Sequence, residues 1–312
     1  MAEQRKSRGF TRVDALAVGV MCLVFVLLVP MLCAMTQEHY FRLVCGTNLS
    51  EVGKTMFIYA NDYEDALPRA GGRNTAWGPV ANWTSANRYQ AYALAADGSG
   101  GRATISSCLY LLVKYYETPA GFFICPGDKG TTEFKLSNVA ACLPSNFELI
   151  DAWDFGPQPI PCTSCSFSYH LPFGSSYALT TSRDPNMAVA ADRNPWFPSP
   201  ASDPPPWVAF KPDLPGFGGG PQQARASNAI AHQQDGQNVL FLDGRVTFET
   251  RSYCGVESYY GIGKDNIYTV GTLDGGEPYG TMPGLFSVPL SETDSLLVHD
   301  PKGFPNYGAT KS

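Results

Sequence analysis

The sequence predicts an α+β protein: a long N-terminal helix, membrane-spanning in its first half, followed by an exported domain with antiparallel β-structure. Three observations predict it. The run Ala15–Met35 carries no charged residue and, as a helix, is long enough to cross about 30 Å of hydrocarbon. The chain is poor in charge (16%) and rich in Gly (31) and Pro (25), which favours turns, strands and long loops over a helical bundle. Finally, Asn238–Glu249 places two apolar runs either side of Asp243-Gly244, the pattern of a β-hairpin.

Arg5, Lys6, Arg8 and Arg12 precede the apolar run. The positive-inside rule therefore leaves the short N-terminus in the cytoplasm and everything after Met35 across the membrane. A secretory signal fits less well, because its apolar region is about 7–15 residues long and ends at a small-residue cleavage site. Ala34 and Thr36 are a weak version of such a site. Asp14 is the unusual residue, since a carboxylate at the edge of an apolar span costs about 3 kcal/mol unless it is paired. In a simple signal anchor it would reach interfacial water or pair with Arg12 or Arg8.

The order Gly9-Phe10-Thr11-Arg12-Val13-Asp14 behind a basic leader resembles the class III signal of type IV prepilins. That resemblance implies cleavage between Gly9 and Phe10 by a prepilin peptidase and N-methylation of Phe10. It also implies an assembly role for Asp14, which would neutralise the N-terminal amine of a neighbouring subunit in a filament core. Asp14 stands where the family usually has Glu, and Arg12 where it has an apolar residue.

Beyond the span, Leu43, Leu49, Val52, Met56 and Phe57, with Tyr59 and Ala60, recur at spacings that share one helical face. The spacing predicts one helix from about Thr11 to Asn61, interrupted at Pro30 and Gly53 and kinked near Pro30. Asn61, Asp62 and Pro68 supply exit and turn chemistry. Cys45-Gly46-Thr47-Asn48-Leu49, Tyr59-Ala60-Asn61-Asp62-Tyr63 and Leu67-Pro68 are similar to the helix that follows the anchor in bacterial pilin-like proteins of the DUF1559 group. The similarity implies that this helix packs on a small sheet.

Residues 69–102 read as a long surface loop with a short helical piece near Tyr89–Ala96. Trp77, Trp83, Tyr89 and Tyr92 either pin this loop to the core or bind glycans or partner subunits. Ser107–Tyr116 reads as a buried helix, and Phe122–Cys125 as a strand stopped by Pro126. Phe167–Leu171 and Met187–Asp192 read as strands. Nine prolines between Asn194 and Pro221 predict an insertion loop without regular structure, tethered by Trp196, Phe197 and Trp207. Lys264–Thr269 holds one short strand, and the tail beyond Thr281 reads as a surface arm that pairs with a neighbour.

For the hairpin, Asp243-Gly244 predicts a type I′ turn with both central residues at positive φ. His232, Asn238, Asp243 and Gly244 resemble the processing-associated H-X9-DG region of proteins with class III signals. Here the spacer Gln233–Leu242 has one residue more, read as a lengthened turn.

Past Met35 acids outnumber bases 26 to 18, an acidic balance that argues against a nucleic-acid partner. Cys22 and Cys33 lie in the apolar span, and Cys45, Cys108, Cys125, Cys142, Cys162, Cys165 and Cys254 beyond it. Outside the cytoplasm disulfides are the default, and this odd number leaves at least one thiol free or paired between chains. Cys162-Thr163-Ser164-Cys165 lacks the context of a redox pair or zinc site and is assigned to structural disulfides. Asp97-Gly98-Ser99-Gly100-Gly101 differs in order from the protease signature it superficially suggests. No nucleophile elbow or phosphate loop is present, so the sequence gives no sign of an enzyme. No cofactor is expected, with calcium the one metal considered: Asp192, His232, Asp235, Asp243 and Asp265 with Asn266 sit in Gly-rich turns, and some pseudopilins bind calcium in C-terminal loops. No EF-hand spacing accompanies them. On the plainer reading Asp243 is a turn residue and His232 a hydrogen-bonded loop residue.

The expected organisation is a leader (1–9), a transmembrane half-helix (10–35), its exported half (36–68) and an exported α+β domain (69–312) with the proline-rich loop 194–221. The resemblance implies a pilin-like fold and a pseudopilin or minor-pilin role in a type II secretion or type IV pilus-like assembly. Its partners would be prepilin peptidase, other pilin-like subunits and the inner membrane. A membrane-anchored module that binds glycan or calcium without polymerising is the alternative.

Overall fold

The computed structural model describes residues 11–304 except 140–142, 175, 176, 178, 258–260, 262 and 272–277. Gly9, Phe10 and Cys142 lie outside the described residues. The chain forms two compact units, 1–40 and 41–312. Helix α1 (Arg12–Asp62) runs through both, so Pro30 and Gly53 do not interrupt it.

In the first unit, Arg12–Val29 is long and apolar enough to cross a membrane, and none of it is buried. Thr11 and Asp14 close the start of α1 reciprocally: the Thr11 backbone N–H donates to Asp14 Oδ2 (2.8 Å) and the Asp14 N–H donates to Thr11 Oγ1 (3.2 Å). This is a capping box, satisfying two backbone donors that a helix start otherwise leaves open.

The second unit is organised on a five-stranded antiparallel sheet of β3 (Phe167–His170), β4 (Ala188–Asp192), β5 (Gln237–Phe241), β6 (Val246–Glu249) and β9 (Leu297–Val298), in the order β6-β5-β4-β3-β9. Strands β7 (Tyr253–Glu257) and β8 (Lys264–Asn266) form an antiparallel pair, and β1 (Ala76–Trp77) and β2 (Arg102–Ala103) a short parallel one. The molecule is thus α+β with antiparallel sheets.

Side chains alternate across β5. Leu240 joins the core shared with Leu49, Val52 and Met56 of α1, while Val239 and Phe241 face a second core with Trp196, Phe210 and Tyr268. Both faces of the central strands are covered, which is why β3, β4 and β5 are buried throughout. Gly53 lets the helix backbone come close to the sheet, for a Cβ there would lie 2.8 Å from Leu240 Cδ1.

Helix α3 (Ile105–Tyr116) is capped by Thr104, whose hydroxyl accepts from the Ser107 N–H (2.9 Å). Three short α-helices, α2 (Arg88–Tyr92), α4 (Ile160–Thr163) and α5 (Pro221–Ala224), complete the α-helices among the described residues. The aromatics of 69–102 mostly turn inward: Trp77 and Tyr92 are buried, and Trp83 meets Phe134 and Phe147 edge-on. Trp196 and Phe197 are likewise buried and anchor the proline-rich loop.

Several expectations are corrected. Phe122–Cys125 is not a strand; Ala120–Phe123 forms a 3-10 turn, so the apolar run packs as a bend. One 3-10 turn, Trp207–Ala209, survives inside the proline-rich loop. The hairpin turn has positive φ at Gly244 alone, with the Gly244 N–H donating to the Phe241 carbonyl (2.9 Å) and the Phe241 N–H to the Arg245 carbonyl (3.0 Å). That is a three-residue loop with a glycine bulge, so Asp243 need not adopt the left-handed conformation. Part of the tail is not a surface arm: Leu296–Asp300 is buried, and β9 pairs with β3.

Candidate functional site: a buried Cys-Cys-His-Asp centre

Four residues from four separate segments meet beneath α1: Cys45, Cys125, Asp192 and His232. All are buried, and their ligand-type atoms lie within 4.8 Å of one another. Among the described residues this is the one grouping of three or more His, Cys, Asp or Glu side chains compact enough for a metal ion. Cys45 and Cys125 are joined as a disulfide with Cα atoms 4.9 Å apart.

Local sequence explains each placement. Cys45 and Asn48 stand one turn apart on α1 and share a face. Cys45 reaches Cys125, while Asn48 Nδ2 donates to the carbonyl of Ile124 (2.8 Å), fixing the peptide just before it. The Cys-x-x-Asn spacing thus holds one loop at two points. Gly127 is needed next, since a Cβ there would lie 2.5 Å from the Ala231 carbonyl oxygen and 3.4 Å from His232 Cε1. His232 ends a 3-10 turn, and the chain leaves it through Gln233 and Gln234, both at positive φ.

Asp192 ends β4. Its Oδ2 lies 3.1 Å from His232 Nε2 and accepts from the backbone N–H (2.6 Å) and Nδ2 (3.2 Å) of Asn238. Its Oδ1 is buried with no hydrogen-bond partner among the described residues. Cys125 Sγ lies 3.7 Å from His232 Nε2. Phe248 of β6 closes the centre with its ring edge-on to His232, 5.8 Å between centroids, and the Arg42 guanidinium covers Phe248 at 4.6 Å. Arg42 and Arg225 both pair with Asp235, clamping the loop after His232.

The sequence-predicted residues divide sharply. Asp192, His232 and Asn238 come together. Asp235 is taken by its two arginines, Asp243 pairs with Arg245 in the hairpin turn, and buried Asp265 accepts from the Ser295 N–H (2.8 Å) beside Asp294. Two thiol positions, one imidazole and one carboxylate make a donor set unlike the 6–8 oxygens that calcium takes. Cys45 and Cys125 were not among the expected metal candidates.

The assignment of Cys162 and Cys165 to disulfides is corrected: both are free and buried. Their loop curls around the Arg193 guanidinium, which donates to both of their carbonyls and pairs with Asp128 at 2.8 Å. Asp97 accepts from the N–H (3.0 Å) and hydroxyl (2.7 Å) of Ser99, so that segment is a local turn.

A second set of buried carboxylates gathers at the start of α3. Asp300 accepts from the N–H groups of Ile105 (2.9 Å) and Ser106 (2.8 Å) and from Trp77 Nε1 (2.8 Å), an anion placed on a helix N-terminus. Beside it, Asp154 bonds the hydroxyls of Thr104 and Ser106. Burial, with the charge of Asp300 next, pushes Asp154 up to about 8.

No family model, curated protein or solved structure matches the chain. The likeness to pilin-like proteins therefore rests on its motif residues.

Proposed function

We propose that this protein is a structural subunit with a pilin-like fold, anchored by a single pass in the inner membrane, its N-terminus cytoplasmic and its domain periplasmic or extracellular. Prepilin peptidase would cut between Gly9 and Phe10 and methylate Phe10. The subunit would then join other pilin-like subunits as a pseudopilin or minor pilin of a type II secretion or type IV pilus-like assembly. It works by packing and is not an enzyme.

One observation carries this reading: Arg12–Val29 presents its apolar side chains outward all round, with Leu23 and Phe25 each 61% exposed. A helix apolar on every side belongs in lipid or against other apolar helices. Transfer from the bilayer into a filament core would exchange the first for the second, and pairing Asp14 with a neighbour's amine would offset the burial of its charge. The convergence of Cys45, Asn48, His232 and Asn238 around Cys125 adds support, because residues that carry the resemblance act as one structural unit.

A second reading, a membrane-anchored module for glycan or calcium that does not polymerise, is favoured by the Thr11–Asp14 capping box, which already satisfies Asp14 within its own chain. The intact mass and N-terminal sequence of the protein from its own membranes separate the two. A chain that begins at methylated Phe10 is expected; a chain that keeps Met1–Gly9 would overturn processing and leave the anchored module.

A further inference from the structure

We propose that the Cys45-Cys125-His232-Asp192 centre is a redox-gated site for a thiophilic divalent cation, zinc above all. With the sulfurs joined it is a structural disulfide. With the disulfide reduced, Cys45 Sγ, Cys125 Sγ, His232 Nε2 and the Asp192 carboxylate bind one ion. The inference does not depend on the membrane or assembly reading.

The geometry carries it. A tetrahedral zinc with Zn–S near 2.3 Å and Zn–N or Zn–O near 2.0–2.1 Å sets its donors roughly 3.3–3.8 Å apart. Cys125 Sγ and His232 Nε2 are 3.7 Å apart, and His232 Nε2 and Asp192 Oδ2 are 3.1 Å apart. All four donors lie within 4.8 Å, so the chief adjustment is the separation of the two sulfurs on reduction, from about 2 Å when bonded to about 3.8 Å, or roughly an ångström of movement by each.

Chemistry and surroundings agree. Two soft sulfurs, an imidazole and one carboxylate suit zinc over calcium or magnesium. Asp192 Oδ1 is a fully buried oxygen with no hydrogen-bond partner among the described residues, the kind of atom a native interior seldom leaves unanswered. Asn238 holds the other carboxylate oxygen with two hydrogen bonds, as outer partners orient metal ligands. The site is shielded by Phe248 and α1, and each ligand is positioned independently: Cys45 by a helix, Asp192 by a central strand, Cys125 and His232 by loops pinned through Asn48 and Arg225.

The steps balance. A phosphine breaks the S–S bond by giving up two electrons, and water supplies the two thiol protons and the oxygen of the phosphine oxide; a dithiol supplies both electrons and both protons and leaves as a disulfide. Zinc then displaces both thiol protons, leaving two thiolates, a neutral imidazole and a carboxylate around the dication. Metal uptake is therefore expected to release protons and to weaken in acid.

The test uses the full chain in detergent, oxidised or reduced with a phosphine, titrated with zinc and separately with cobalt(II) as a spectroscopic substitute. The reduced protein is expected to hold one ion per chain, and its cobalt form to show thiolate-to-metal charge transfer with tetrahedral d–d bands. The oxidised protein should bind at least 100-fold more weakly. Asp192→Asn and His232→Ala should each weaken binding at least 10-fold, with the charge-transfer band retained in the first. Near-ultraviolet circular dichroism monitors the fold, and a reduced chain that loosens without metal and regains its signal with zinc also supports the site. Reduced protein that binds no more zinc than Cys45→Ser/Cys125→Ser, or that gives an octahedral cobalt spectrum without charge transfer, would overturn the proposal.

Discussion

The two units of this protein distribute their apolar side chains in opposite ways. In Arg12–Val29 the apolar side chains point outward and the one acid, Asp14, sits on the helix cap. In the second unit the apolar residues are inside, together with Asp154, Asp192, Asp265 and Asp300, all buried. The difference teaches that residue class alone does not decide burial in this chain. Asp154 and Asp300 are admitted to the interior where several N–H or O–H groups converge on them, whereas the apolar side chains of Arg12–Val29 stay bare among the described residues. Water is the wrong solvent for the first unit and the right one for the second.

The largest expected way to break this contrast is through protons. Asp154 is raised to about 8 in the folded chain, above its unfolded value near 4. The folded state thus keeps a proton that the unfolded state releases. Its contribution is at its best below about pH 4 and is lost progressively as pH rises to about 8, with a slope approaching 1.4 kcal/mol per pH unit. In Asp154→Asn this loss should be absent, so urea unfolding of wild type and variant should diverge most at pH 8. Parallel pH profiles would show that the carboxyl is not held neutral inside.

A somewhat smaller effect should come from Leu49→Ala. Leu49 is wholly buried between α1 and the sheet, and its truncation should cost roughly 2–5 kcal/mol of domain stability while leaving membrane retention intact. The mirror experiment is Leu23→Arg, expected to cost about 3 kcal/mol of membrane insertion and to leave the urea midpoint of the domain unchanged. If either variant moved both readouts, the two units would not be independent. The smallest effect is Gly53→Ala: the better helix former gains about 1 kcal/mol in propensity, but its methyl meets Leu240. A net loss of roughly 1 kcal/mol is expected, and a gain in stability would show that Leu240 yields.

Much of the backbone was legible from the sequence. The apolar run, the periodicity through Leu49, Val52 and Met56, and the alternation across Val246 and Phe248 announce α1 and the hairpin because local spacing fixes which face is buried. Thr11-x-x-Asp14 also carries a capping-box signal, overshadowed by the charge argument about Asp14. Of the site, Asp192, His232 and Asn238 could be singled out, yet not their partners. Cys45 and Cys125 are 80 residues apart and Cys125 and His232 are 107 apart; only the register of β4 against β5 and the seat of α1 bring them together. The same limit hid β9, a two-residue strand whose signal is no more than Leu296-Leu297-Val298 between polar neighbours. It also hid Arg193, whose guanidinium gathers the carbonyls of Cys162 and Cys165 around it.

The pairing of Asp300 with the start of α3 has a consequence for the order in which the molecule can be made. The N–H groups of Ile105 and Ser106 wait for a carboxylate 195 and 194 residues further along the chain, and the β3 edge waits for β9. While residue 300 is still in the ribosome, α3 lacks its counter-charge and the sheet its fifth strand. Final closure of the domain is therefore a late event: a growing chain that stops short of β9 lacks both of the contacts that complete the finished molecule.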